Sequence, residues 1–207
     1  MKKALIVVDV QNDFMPGGNL AVKDGDKIVP GINDLIASNP FDVLVFTQDC
    51  HPQNHGSFAS NHPGKKPFEM DELNGLPQML WPDHCVQGTK GMDFHPDLDV
   101  PMNSYTIFKG MDPNVDSYSA FYDNGGQNPS GLTDYLKSMG ITDIDICGLA
   151  YDYCVYYTAL DAVKEGFKVK VIKNLTKPVI DTPESIAKIE YQLVNAGVEI
   201  ITWEKNV

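Results

Sequence analysis

Short apolar runs recur along this chain, each a handful of residues long and most of them closed by a polar or charged residue. They fall at 4–9, 42–47, 105–108, 144–148, 167–172 and 198–203. Several are almost continuously apolar rather than alternating, which is the pattern of strands buried on both faces, as in a parallel sheet. Between them the period lengthens to that of a helix. Leu132, Tyr135, Leu136 and Met139 recur at helical spacing behind a candidate cap, Ser130, and Gly140 supplies the stop. Val155, Ala159, Ala162 and Val163 repeat that spacing ahead of Gly166. Thr182-Pro183 opens a third helix, proline suiting a first turn, and Ile186, Ile189 and Leu193 face inward until Gly197. The stretch 26–38 has a weaker pattern, because Pro30 must lie in its first turn.

Strands alternating with helices predict a three-layer α/β/α domain around a six-stranded, mainly parallel, Rossmann-like sheet, with one domain spanning residues 1–207. In such a sheet, catalytic groups collect beyond the carboxyl ends of the strands. The stretch 51–104 has little periodicity and is rich in Pro, Gly, Asn and His, so it reads as an ordered loop over that edge.

Three residues fall at strand ends with complementary chemistry. Cys154 sits where the run 144–149 gives way to a helix, so its sulfur meets the positive end of a helix dipole, where backbone N–H groups favour thiolate and can hold an oxyanion. Asp9 closes the first run and Lys109 the third. A carboxylate, a cation and a thiol at one sheet edge make a Cys-Asp-Lys hydrolase the reading to test. The plainer alternatives are a buried helix cysteine, a turn-capping aspartate and a solvated lysine, and all three would have to hold together. Cys147, inside its strand, fits the plain reading of a small buried hydrophobe, and so do Cys50 and Cys85.

Asp49 and His51 are one residue apart at the end of the second strand, so extended backbone points both side chains to one side and Cys50 to the other. That arrangement suits a metal, with His84 as third ligand. A strand-end turn with a capping aspartate is the alternative. An Asp/His/His set fits zinc, manganese or iron. His55, His62 and His95 compete with His84, but their Gly, Pro and Asn neighbours mark them as loop histidines bonding backbone. Phe14, Trp81 and Tyr118 are candidates for an aromatic slot.

Composition narrows the partners. A net charge of −12 argues against nucleic acid or an anionic membrane surface, both of which call for Lys and Arg excess. No run is long enough to span a bilayer, and the five apolar residues before Asp9 are too few for a signal peptide. Four cysteines without a Cys-x-x-Cys pair are expected as reduced thiols in a cytoplasmic protein. Homo-oligomerisation is left open.

Five stretches, taken together, say more than any one of them: Asp9-Val10-Gln11-Asn12-Asp13-Phe14, Thr47-Gln48-Asp49-Cys50-His51-Pro52-Gln53-Asn54-His55, Trp81-Pro82-Asp83-His84-Cys85-Val86, Phe108-Lys109-Gly110 and Gly148-Leu149-Ala150-Tyr151-Asp152-Tyr153-Cys154-Val155. In order and over nearly the whole chain they resemble the nicotinamidase/pyrazinamidase family of isochorismatase-like cysteine hydrolases. The resemblance implies Cys154 as nucleophile, Asp9 as proton carrier and Lys109 as the positioning charge. It implies one divalent metal ion, zinc first, held by Asp49, His51 and His84. It implies an oxyanion hole from the N–H groups of Ala150 and Cys154 beside a cis Leu149-Ala150 peptide, and ring contacts from Phe14, Trp81 and Tyr118. The expected activity is hydrolysis of nicotinamide, and of pyrazinamide, through a thioester, in NAD salvage. Tyr153 and Cys50 depart from the family pattern and bear on substrate breadth more than on reaction type, and the segments 63–79 and 111–117 bear on the pocket rim. The competing expectations are action on another small amide or ureide, and a non-catalytic metal-binding scaffold.

Overall fold

The computed structural model describes residues 1–38 and 40–205. Among them are strands β1 (Lys2–Val8), β2 (Val43–Asp49), β3 (Met70–Leu73), β4 (Leu76–Met79), β5 (Tyr105–Lys109), β6 (Ile141–Leu149), β7 (Lys168–Lys177) and β8 (Glu199–Ile201). Four helices accompany them: α1 (Val29–Ala37), α2 (Leu132–Ser138), α3 (Cys154–Lys164) and α4 (Pro183–Ala196). Six strands form one sheet in the order β5-β2-β1-β6-β7-β8, and every neighbouring pair is parallel. From β1 the chain winds outward through β2 to β5, then returns to β6 and winds the other way. The topological switch therefore lies between β1 and β6, where an open parallel sheet leaves a crevice beyond its carboxyl edge.

Both sheet faces are buried, which explains the continuous apolar runs. Ala4, Ile6 and Val8 face α2, α3 and α4 through Leu132, Leu136, Val155, Ala159 and Leu193. Leu5 and Val7 face the other way, toward Ile32 and Leu35 of α1 and the segment carrying Phe14, Leu20 and Val22. Each fully buried Leu, Ile or Val contributes about 1.5–3 kcal/mol, so a one-residue slip of β1 would cost both cores at once. At the switch point β1 and β6 come very close. A Cβ at Gly148, whose φ is +106°, would lie 2.1 Å from the Val8 carbonyl oxygen, so only glycine fits there.

The boundaries differ from the sequence pattern where polar residues join the ladder. β2 continues through Gln48 and Asp49, which pair in register with Phe108 and Lys109. β7 continues to Lys177, past the polar residues at which the apolar pattern stops. Asp9 lies outside β1, in the left-handed region with φ 47°. The cap of α2 also needs correction: Gly131 occupies it with φ 86°, while Ser130, one residue earlier, accepts the Leu132 N–H at 3.2 Å. Thr182 caps α4 as expected, accepting the Ser185 N–H at 3.2 Å.

The stretch 51–104 is ordered but not wholly irregular. β3 and β4 form an antiparallel hairpin across Asn74-Gly75, both with positive φ, a two-residue turn that an Asn-Gly pair signals in sequence. Backbone bonds from Trp81 to Ser57, from Ala59 to Trp81, from His51 to Cys85 and from Gln87 to His51 stitch the stretch down over the sheet edge. Among the described residues, no helix is long and apolar enough to cross a membrane.

Candidate active site

Strand ends bring Asp9, Lys109 and Cys154 together beyond the switch point. Lys109, the last residue of β5, is buried and reaches four partners. Its Nζ lies 2.8 Å from Asp9 Oδ2, 3.1 Å from the Ser117 carbonyl and 3.3 Å from Cys154 Sγ, and it donates to Asp49 Oδ1. The left-handed turn at Asp9 aims its carboxylate inward, and Thr47 holds it there: the hydroxyl donates to Oδ1 at 2.6 Å and accepts the Asp9 N–H at 3.1 Å. One ligand-type atom each from Asp9, Asp49 and Cys154 lie within 4.8 Å of one another.

The electrostatics of this cluster are those of a buried ion pair. Burial raises the Asp9 pKa and Asp49 adds to that, while Lys109 opposes it. Burial alone would discharge Lys109, but Asp49 and Asp9 hold it well above its ordinary value. For Cys154, burial pushes the thiol well up, Lys109 pulls it down, and Asp9 and Asp49 push it up again. Burial and the two carboxylates thus favour a protonated sulfur, Lys109 and the helix end oppose them, and the thiol stands beside a carboxylate of raised proton affinity.

Asp49 connects this group to the histidines. Its Oδ2 is 3.6 Å from His51 Nε2 and 3.8 Å from His84 Nε2, close to the roughly 3.4 Å edge of a tetrahedron with 2.1 Å bonds. His51 Nδ1 lies 2.8 Å from the Gly110 carbonyl and His84 Nδ1 2.8 Å from that of Pro82. A carbonyl only accepts, so each neutral ring carries its proton on Nδ1 and turns a bare Nε2 lone pair toward Asp49. Gly110 is part of the cradle, since a Cβ there would stand 2.3 Å from the His51 ring. With Asp9 and Asp49 ionised, the two carboxylates and Lys109 keep one buried negative charge, which favours a cation at this trio. The donor set fits such an ion. Cys50, beside Asp49, stays outside the trio.

Phe14, Trp81 and Tyr118 line one narrow cavity together with Leu20, Tyr153 and Val179, and Asp49, His51, His84 and Cys154 open onto it. Its free volume is only about 30 Å³. A larger groove of about 540 Å³ beside Tyr122 and Lys164 shares Tyr118 with it but has no cysteine or histidine in its lining. Leu149-Ala150 is a cis peptide. The turn's hydrogen bonds run from the N–H groups of Tyr151, Tyr153 and Val155, leaving those of Ala150 and Cys154 out of them.

Three residues of this site were not selected from the sequence. His55, set aside as a loop histidine, is fully buried with its ring 4.5 Å from that of His51, and burial followed by His51 pushes its pKa down to about 4. Asp116 and Gln78 come from the segments 111–117 and 63–79, and Gln78 Nε2 bridges Asp116 Oδ2 at 3.0 Å and Tyr118 Oη at 3.1 Å. No sequence signal marked either one. His62 and His95 are loop histidines as expected, bonding the Gly56 carbonyl and the Asp97 N–H.

Comparison with known proteins agrees with the geometry. The isochorismatase domain model matches residues 3–205. A nicotinamidase of Acinetobacter baylyi is 49% identical over 96% of this chain and 92% of its own. A solved nicotinamidase/pyrazinamidase of Acinetobacter baumannii superposes with TM-score 0.92 at 50% identity, covering 97% of this chain and 96% of that one. The pyrazinamidase of Pyrococcus horikoshii, solved in complex with zinc, superposes with TM-score 0.80 at 35% identity over 98% of this chain and all of that one. With its fold, its strand-end cluster and these likenesses in agreement, the chain belongs to the isochorismatase-domain family, on its nicotinamidase/pyrazinamidase branch of amide hydrolases.

Proposed function

We propose that this chain hydrolyses nicotinamide, and pyrazinamide, to the carboxylic acid and ammonia, residues 1–207 acting as one hydrolase domain. The observation that carries the reading is the meeting of the Cys154 thiol with the Lys109 ammonium at 3.3 Å, beside Asp9, on the wall of the cavity that Asp49, His51 and His84 also line. Asp9, whose proton affinity burial has raised, takes the proton from Cys154 as the sulfur attacks the carboxamide carbon. Lys109 compensates the charge that moves onto sulfur. The N–H groups of Ala150 and Cys154 receive the oxyanion, at about 3 kcal/mol per donor. Protonated Asp9 then gives its proton to the departing ammonia, leaving a thioester. Asp9 next deprotonates a water that attacks the thioester, releasing the acid and returning the proton to sulfur.

Asp49, His51 and His84 would hold one divalent ion, zinc by analogy with the Pyrococcus neighbour, whose contribution is to anchor the ring nitrogen and so place the carboxamide. Phe14, Trp81 and Tyr118 grip the ring. Nicotinate made this way feeds NAD salvage, in a cytoplasm whose reducing conditions suit four free cysteines. The test is ammonia release from nicotinamide by the purified protein, with and without a chelator. Release that disappears in Cys154→Ala and falls on chelation supports the reading, whereas undiminished release from Cys154→Ala ends it.

A further inference from the structure

Three buried histidines cluster beside the cavity, the His51 ring 4.5 Å from that of His55 and 4.9 Å from that of His84, and their hydrogen bonds sort them into two kinds. His51 and His84 spend Nδ1–H on carbonyl groups and present a bare Nε2. His55 is wired the other way round. The backbone N–H of Ser57 points at its Nδ1 from 3.1 Å, with the Ser57 hydroxyl at 2.7 Å. A backbone N–H can only donate, so Nδ1 is the acceptor and the neutral ring carries its proton on Nε2. That Nε2 is buried and has no hydrogen-bond partner among the described residues.

The ring that carries the orphaned donor belongs to a second trio that shares His51 with the first. His51, His55 and Asp116 each offer a ligand-type atom within 4.8 Å of the other two, and all three are buried. Asp116 is held in place rather than free: its Oδ1 accepts the Ser117 N–H at 2.8 Å and its Oδ2 accepts from Gln78 at 3.0 Å. Each of those oxygens keeps a lone pair, and Asp116 also lines the cavity. One side of the histidine cluster thus has a fixed N–H donor and, close by, a fixed carboxylate acceptor. A protonated nitrogen cannot ligate a metal, and turning His55 into a ligand would strand the Ser57 N–H in the interior.

We propose that His55 and Asp116 are positioning residues that grip the water completing the shell of the ion held by Asp49, His51 and His84, His55 donating from Nε2 and Asp116 accepting. The inference rests on the metal reading above and adds to it that this chain binds the ion through two histidines and not three. Water has the donors and acceptors to satisfy both partners at once. Through Gln78 and Tyr118 the same clamp reaches the aromatic wall of the ring pocket.

X-ray absorption of the zinc-loaded protein counts bound imidazoles, and competition with a chromophoric chelator measures zinc affinity. Two imidazoles are expected in the unsubstituted protein and two again in His55→Ala. Zinc affinity should fall about 10–100-fold in His55→Ala and in Asp116→Asn, the range for residues that orient a shell rather than form it. His55→Gln, which restores an N–H near the Nε2 position, should recover most of the loss. Three imidazoles in the unsubstituted protein, or the loss of one in His55→Ala, overturns the proposal, as does wild-type affinity in both variants. The imidazole count needs no variant to fold. A protein that binds no stoichiometric zinc overturns the metal reading and this inference together, while a three-histidine shell leaves the metal reading standing and removes only the clamp.

Discussion

The two halves of the site meet at Lys109 but are built in opposite ways. Asp9, Lys109 and Cys154 stand on the ends of β1, β5 and the β6–α3 turn, so the hydrogen-bond register of the sheet places them before any side-chain contact forms. His51, His84, Asp116 and the aromatics that line the cavity stand mostly on irregular chain, where position comes from individual bonds such as those to Gly110, Pro82 and Ser117. A group placed by the sheet can be removed without moving its neighbours. A group placed by a network cannot, so the two halves should answer substitution differently.

The sharpest break in that comparison is Cys154→Ala. Deleting the sulfur should lower turnover of nicotinamide by at least about 10⁴-fold while the fold and metal binding stay intact, because the sheet, not the thiol, holds the site together. Circular dichroism and metal content beside the kinetic assay check this, and loss of metal along with activity would show the halves to be less separable. Lys109→Met should damage stability as well as rate. It leaves Asp9 and Asp49 buried without their shared cation, which costs about 3–5 kcal/mol, measurable by urea unfolding. On the network side, His51→Ala should release the metal and lower kcat/KM about 10²-fold, mostly through KM, by misplacing the ring. A metal-free variant with unchanged KM would count against the anchoring role.

The same contrast explains what could be read from sequence. The runs at 4–9, 105–108 and 144–148 placed Asp9, Lys109 and Cys154 at one edge, because a buried strand writes its burial into consecutive residues and its end into the first charge or turn. Thr182-Pro183 and Gly197 marked α4 to the residue, since caps depend on local chemistry. Gln78 and Asp116 left no such mark. Each matters through a partner far away in the chain, Tyr118 and His55 respectively, and no local period encodes those pairings. The Asn74-Gly75 turn was legible in principle, but the weak alternation of its half-exposed flanks concealed the hairpin. The electrostatic surroundings of the Cys154 sulfur were not, because they depend on how many carboxylates the fold brings near it.

Acid should separate the halves again, by a smaller effect. Asp9 must be ionised to take the thiol proton, and burial raises its pKa above 3.8. Activity should therefore fall tenfold per pH unit below a midpoint lying above 3.8. The sign for stability differs between the two carboxylates. Asp9, raised, contributes stability that is full below its unfolded value and is lost as pH rises through the folded one. Asp49, held well down by Lys109 and His51 against its burial, contributes stability present above 3.8 and lost only as pH falls through its lower folded value. A window should exist in which the metal-saturated protein is folded but inactive and recovers on neutralisation. Measuring kcat/KM and circular dichroism down the same pH series checks this, and an activity midpoint at or below 3.8 would contradict the raised proton affinity of Asp9.

The smallest effect is expected at Cys147, on β6 just ahead of the turn that carries Cys154, and it is the control that gives the others meaning. Both thiols are buried and both are pushed up by burial. They differ in what they face: Cys147 lies among Leu5, Val7 and Leu149 in the core, whereas Cys154 faces Lys109 and the cavity. Cys147→Ala should cost about 1 kcal/mol of stability through the small void it leaves, and nothing in turnover per folded molecule. Iodoacetamide should spare Cys147 in the native protein and modify Cys154, with nicotinamide protecting the latter. If the two thiols label equally, or if Cys147→Ala lowers kcat beyond its effect on folding, then burial in the sheet and placement at its edge are not the distinct roles this structure assigns to them.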